Sequence, residues 1–114
     1  MSLVERQWLF SDLFALLILW TGTAGYRVSL GEVYRTPEQA ALNARRGTGI
    51  AASLHRLSLA ADLRLFRDGV YLQDSADYLP LGVMWEAMHP LCRWGGRFRH
   101  PDGGHFSVEW RGIR

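Results

Sequence analysis

Leu57-Ser58-Leu59-Ala60-Ala61-Asp62-Leu63-Arg64-Leu65-Phe66, followed by Arg67-Asp68-Gly69-Val70-Tyr71-Leu72, decides the fold. In the first segment Leu59, Ala61, Leu63 and Leu65 alternate with Ala60, Asp62 and Arg64. This period of two places the sets on opposite faces of a half-buried strand. Asp68-Gly69 then separates the run from Val70-Tyr71-Leu72. Both turn residues tolerate positive φ, so the pair is a two-residue hairpin signal. An antiparallel sheet is therefore expected.

Upstream, Tyr26, Val28 and Leu30 alternate with Arg27, Ser29 and Gly31, which predicts a strand running to about Arg35. Thr36-Pro37-Glu38-Gln39 reads as an N-cap, Pro at N1 and a first helical turn. That helix runs through Ala40, Ala41, Leu42 and Ala44 to Gly47, and Gly47-Thr48-Gly49 opens a loop ending near Ser53. Downstream, Tyr78 to Leu91 reads as a helix with Leu81, Met84, Trp85 and Met88 on its apolar stripe. Trp94-Gly95-Gly96 reads as a turn, and His105 to Trp110 as a last short strand.

The most apolar stretch is Trp8 to Gly25, where Leu9, Leu13, Leu16, Leu17 and Trp20 share one helical face. A membrane span needs ~20 apolar residues. Asp12 interrupts this run, and Thr21-Gly22-Thr23-Ala24-Gly25 ends it. Glu5 and Arg6 cancel where a signal peptide would carry net positive charge. The expectation is a packed helix from about Val4 to Trp20, with neither membrane anchor nor signal peptide. Ser2 or Ser11 would cap its start, and Gly22 or Gly25 its end. The elements add up to an α+β fold, a small antiparallel sheet with flanking helices.

The 114 residues fit one domain, 1–114, and 48% hydrophobic content excludes wholesale disorder. All 13 basic residues are Arg; against 11 acidic residues they leave a formal charge of +2. They are scattered along the chain, so a nucleic-acid partner, which needs a contiguous basic face, is not expected. The single Cys92 excludes an internal disulfide and a Cys-built zinc knuckle. It reads as a small buried hydrophobe. Any metal site must use His and carboxylates.

Such a set exists. His55 precedes the Asp62 strand, and His105 opens the last strand three residues after Asp102. Seven straight residues would span ~23 Å, so a turn near Arg56 to Ser58 is needed to bring His55 back to Asp62. If the two strands pair, His55, Asp62 and His105 can converge as two imidazoles and a carboxylate. That is the protein ligand set of a catalytic zinc, which activates water and polarises a carbonyl. Asp102 is placed as the carboxylate that moves the proton, with Gly103-Gly104 letting its side chain fold back. Arg35 is a candidate cation for a developing oxyanion.

Ser53-Leu54-His55-Arg56-Leu57-Ser58-Leu59-Ala60-Ala61-Asp62 resembles the SxHxxGxAxD motif of the D-alanyl-D-alanine carboxypeptidase-type (VanY-type) zinc peptidases. That family includes vancomycin-resistance peptidases and phage endolysins cutting L-alanyl-D-glutamate bonds. Asp102-Gly103-Gly104-His105-Phe106 resembles its (E/D)xxH motif, in the DGGH form of some endolysins. Glu32-Val33-Tyr34-Arg35-Thr36-Pro37-Glu38-Gln39 is similar to the upstream motif that carries the family's Arg, and Trp94-Gly95-Gly96 to a WGG segment of phage members. The resemblance covers about Gly25 to Trp110. Ser58 stands where the family has Gly, and Asp102 is one methylene shorter than the usual Glu.

The resemblance implies a hedgehog/D-Ala-D-Ala-peptidase-like fold and one zinc on His55, Asp62 and His105. It implies Asp102 as general base, Arg35 on the substrate carbonyl, carboxylate or oxyanion, and Ser53 as a substrate contact. The expected activity is hydrolysis of peptidoglycan stem peptides by a monomeric phage or prophage L-Ala–D-Glu endopeptidase. Such an enzyme would wait in the host cytoplasm for holin-assisted release. The alternatives are a D-Ala–D-Ala carboxypeptidase, or a non-catalytic phage structural or binding protein on the same fold.

Overall fold

The computed structural model describes residues 1–46 and 53–114. The expected helix stop at Gly47 and the loop from Gly47 to near Ser53 lie outside them. The elements are α1 (Leu3–Thr23), β1 (Arg27–Leu30), α2 (Pro37–Arg45), β2 (Ala60–Arg67), β3 (Val70–Leu72), α3 (Leu79–Met88), β4 (Cys92–Trp94) and β5 (His105–Val108). The five strands form one antiparallel sheet in the order β1-β2-β5-β4, and β3 also pairs with β2. The α+β expectation holds.

β2 is the axis of the sheet. Its early residues pair with β5 (Ala60↔Ser107, Asp62↔His105) and its late ones with β3 (Leu65↔Leu72, Arg67↔Val70). The predicted apolar face is real, with Leu59, Ala61, Leu63 and Leu65 all buried, but Ala60, expected on the polar face, is buried as well, and only from Asp62 on does the alternation hold. The hairpin turn is where expected, with Asp68 and Gly69 at φ 50 and 77. Tyr78 Oη secures the hairpin by accepting from the Leu65 N–H and donating to the Leu72 carbonyl, at 3.0 and 2.9 Å.

β1 ends at Leu30 rather than Arg35. Beyond Leu30 the ladder is distorted: the Gly31 N–H donates to the Asp62 carbonyl, and the Asp62 N–H donates to the Glu32 carbonyl, both at 2.8 Å. Two residues thus oppose one, in the manner of a bulge, which ends regular pairing and turns the following side chains. α2 starts as predicted, with Thr36 Oγ1 accepting from the Gln39 N–H and Pro37 in the first turn.

α1 is longer than expected at both ends. Ser2 and Glu5 form a reciprocal capping box at its start. Its buried face is Phe10, Phe14, Leu17 and Thr21, while Leu16, expected inside, is 54% exposed. The aromatic core selects this face. Phe10 and Phe14 stack at 5.2 Å and meet Trp85 of α3 edge-on, and Trp85 in turn meets Phe106 of β5. Aromatic pairs in such geometries contribute about 0.5–1.5 kcal/mol each beyond their buried area. Leucines one position round the helix do not displace them. Among the described residues, no helix is long and apolar enough to cross a membrane.

α3 stops at Met88, three residues before the predicted Leu91. His89 is extended because it precedes Pro90, whose ring disfavours helical backbone there. The His89 ring Nδ1 accepts from the Leu91 N–H at 3.1 Å. The chain then forms β4, a strand not predicted from the sequence. β5 is shorter than expected and ends at Val108; Trp110 instead bridges to Ile113.

Candidate active site

Pairing of β2 with β5 sets Asp62 directly opposite His105. His55 reaches them from the 3₁₀ turn Leu54–Leu57, whose first residue follows Ser53. Ser53 Oγ accepts from the His55 N–H at 3.2 Å, and the residue is 6% exposed. The turn closes at Ser58, which is left-handed at φ 56. The position where the resembled motif has Gly is held here by a serine in the conformation that glycine adopts without strain. The turn near Arg56 to Ser58 required by the sequence is present.

Three donor atoms converge. His55 Nε2 is 3.3 Å from Asp62 Oδ1 and 3.3 Å from His105 Nδ1, and His105 Nδ1 is 3.7 Å from Asp62 Oδ1. Ligands ~2.0–2.1 Å from a tetrahedral ion stand about 3.3 Å apart, so this triangle fits zinc. Both histidines are buried, and Asp62 Oδ1 has no hydrogen-bond partner. A buried carboxylate oxygen without a well-formed hydrogen bond, facing two imidazole nitrogens, is an arrangement that a cation among the three atoms stabilises. These three residues also form a group able to hold a metal ion among the described residues. Burial opposes the Asp62 charge, yet the facing rings of His105 and His55 outweigh it and hold its pKa at about 2.

Asp102 lines the same cleft, a cavity of about 500 Å³ that also includes Glu32, Asp62 and Arg64. Burial of its carboxyl, and then the nearby Asp62 charge, raise its pKa, with His105 and His55 pulling the other way. The loop that carries it is tightly held. The Asp102 N–H donates to the Gly95 carbonyl at 2.9 Å, and the His105 N–H to the Asp102 carbonyl at 3.1 Å. Trp94, buried, donates its indole N–H to the Gly103 carbonyl at 2.8 Å. A Cβ on Gly95 would lie 2.1 Å from the Asp102 carbonyl oxygen, so only glycine lets the loop close. The Trp94-Gly95-Gly96 segment thus sets the spacing of Asp102 and His105.

Gly103 and Gly104 act differently from the expectation. Neither is among the positive-φ residues, so conformational freedom is not their role. A Cβ on Gly103 would come within 2.6 Å of the Ser75 backbone, and one on Gly104 within 2.8 Å of the Leu63 carbonyl oxygen. They are needed for close approach.

Arg35 donates its Nε to Glu32 Oε1 at 2.8 Å, and its Nη2 bonds the same oxygen. Its backbone N–H donates to the His55 carbonyl at 3.1 Å. Arg35 therefore stands beside the metal triangle, with its charge shared by Glu32. Glu32 has no role in the motif reading. Its Oε1 lies 3.6 Å from His55 Nδ1, the ring nitrogen turned away from Asp62, and its carbonyl anchors Asp62. The i,i+3 spacing from Arg35 was the available signal. Cys92 is buried, and desolvation pushes its thiol up to about 12, which fits the expected inert hydrophobe.

No protein-family model and no characterised protein sequence matches the chain. Solved structures do. The L-Ala D-Glu endopeptidase ChiX of Serratia marcescens superposes with a TM-score of 0.65 at 23% identity, over 75% of this chain and 68% of that one. A mutant of the vancomycin resistance D,D-pentapeptidase VanY from a VanB-type cassette, in complex with Zn(II), superposes with a TM-score of 0.57 at 16% identity, over 87% and 70%. At such identities the likeness is one of fold. It is the fold that the motif resemblance implied.

Proposed function

We propose that this chain is a zinc peptidase that hydrolyses a bond in the stem peptides of bacterial peptidoglycan, acting as an L-Ala–D-Glu endopeptidase. The carrying observation is the triangle of His55 Nε2, Asp62 Oδ1 and His105 Nδ1, with edges of 3.3, 3.3 and 3.7 Å, beside an open cleft. The fold shared with ChiX, named as such an endopeptidase, supports the choice of bond. The VanY likeness supports a D,D-carboxypeptidase as the second reading.

His55, Asp62 and His105 would hold the zinc, which would supply Lewis acidity for water and for the scissile carbonyl. Asp102 takes the proton of the attacking water and passes it to the leaving amine. Such a role suits a carboxyl whose pKa is raised toward the working range. Arg35 places positive charge toward the oxyanion. Ser53 holds the His55 turn and stands two residues before the ligand, where it would border the substrate.

We place one catalytic domain over residues 1–114, as a phage or prophage lysis enzyme that waits in the host cytoplasm for a holin. The DGGH form of the last motif supports this origin. Mass analysis of muropeptides from peptidoglycan treated with zinc-loaded protein tests the reading. New L-alanine carboxyl ends and D-Glu amino ends are expected. Release of D-Ala alone would favour the carboxypeptidase. An unchanged muropeptide profile from a protein with stoichiometric zinc would overturn both.

A further inference from the structure

The face of β2 that carries Asp62 also carries Arg64, two residues on, a distance of about 6.5–7 Å along a strand. Arg64 lines the cleft with Asp62, Glu32 and Asp102, and it is the one cationic residue among the described residues that do so. Its surroundings differ from those of Arg35. Arg35 is bound by Glu32, whereas among the described residues Arg64 makes only a long 3.5 Å contact from Nη1 to the Leu30 carbonyl. No carboxylate among the described residues lies within ion-pair distance of it. An unpaired guanidinium thus stands in a cleft whose other charged groups are carboxylates. Among the side chains lining that cleft, Arg64 is the one that attracts a substrate anion.

Resting on the peptidase reading above, we propose that Arg64 is the subsite for the α-carboxylate of the residue that supplies the scissile amine. That carboxylate is three covalent bonds from the scissile carbonyl carbon. With the carbonyl at the His55–Asp62–His105 triangle, Arg64, two residues from Asp62 on the same strand face, is the cleft-lining guanidinium placed to receive it. A planar guanidinium binds a carboxylate through two parallel N–H donors, which fixes direction as well as position. The substrate therefore lies with its amine-donating residue over β2 toward Arg64. Two stem-peptide groups have this chemistry. One is the α-carboxylate left free on a γ-linked D-Glu, and the other is the terminal carboxylate of a D-Ala–D-Ala end.

The test uses the zinc-loaded full chain and two pairs of peptides. One pair is L-Ala–γ-D-Glu–diamino acid with the D-Glu α-carboxylate free or amidated; the other is a D-Ala–D-Ala-ended peptide as acid or C-terminal amide. The parent should prefer the acid of one pair by about 10- to 100-fold in kcat/KM, carried mainly by KM. Which pair shows the preference identifies the source of the carboxylate. Arg64→Gln should erase the preference, and Arg64→Lys should keep part of it. Titration of the same peptides by NMR gives the acid-to-amide ratio even without cleavage. If Arg64→Gln erases the preference in binding while no peptide is cut, the subsite stands and the peptidase reading falls. If peptides are cut but parent and Arg64→Gln show the same acid-to-amide ratio, the subsite falls and the peptidase reading stands. An equal ratio in both binding and cleavage overturns the subsite outright.

Discussion

Asp62 and His105 are direct partners across the antiparallel β2–β5 pair, with Oδ1 and Nδ1 3.7 Å apart. Because the ladder fixes both backbones, two corners of the metal triangle are in place before any ion arrives. Only His55 depends on a turn. Zinc should therefore bind a largely preformed site and raise the melting temperature, since a ligand that binds only the folded state stabilises it. Calorimetry with zinc and with chelator measures the shift. His105→Ala should abolish both the shift and one equivalent of bound zinc; a full equivalent retained by the variant would place the ion elsewhere.

On the role proposed for Asp102, Asp102→Asn removes the proton carrier and leaves the three donors untouched. Peptide release from purified peptidoglycan should slow by about 10²–10⁴-fold at unaltered zinc content. Asp102→Glu should keep part of the rate. A parent-like rate for the Asn variant would move the base to another residue.

Glu32 lies 3.6 Å from His55 Nδ1 and also binds Arg35. Carboxylates behind a ligating imidazole orient the ring and raise its basicity. Glu32→Gln should weaken zinc binding by about 10- to 100-fold in competition with a chromogenic chelator. An affinity equal to that of the parent would reduce Glu32 to a partner of Arg35 alone.

Ser58 sits at φ 56, and an L-residue held there carries about 1–2 kcal/mol of strain. Gly relieves that strain but loses more chain entropy on folding. The balance should leave Ser58→Gly more stable by up to about 1 kcal/mol in urea unfolding. A less stable variant would show that the serine side chain has a compensating contact.

Asp62 is held at about 2 in the folded, metal-free protein, below its value in an unfolded chain. Its ionised form thus favours folding above the ordinary carboxylate range, and this contribution is lost as pH falls toward about 2. Metal-free Asp62→Asn should show a shallower loss of stability across that acid window. Parallel curves for parent and variant, from denaturant unfolding at stepped pH, would refute the assignment.

Local chemistry alone determined much of this protein. The alternation from Leu59 to Leu65, the Asp68-Gly69 turn and the Thr36-Pro37 helix start need only neighbours in sequence, because strand period, turn φ and caps are local. The three converging side chains were legible for a related reason. Residues on one strand face, or just before a strand, have few places to go once the strands pair. Other features needed the folded chain. The face α1 buries was decided by Trp85 and Phe106, which rank Phe10 and Phe14 above Leu16. β4 forms only because β5 offers it a partner, and β1 ends where Gly31 and Glu32 both meet Asp62. The engagement of Arg35 by Glu32 and the open position of Arg64 belong to this second kind. Charge pairing acts through space, and only tertiary contacts decide which guanidinium meets a carboxylate and which is left facing the cleft.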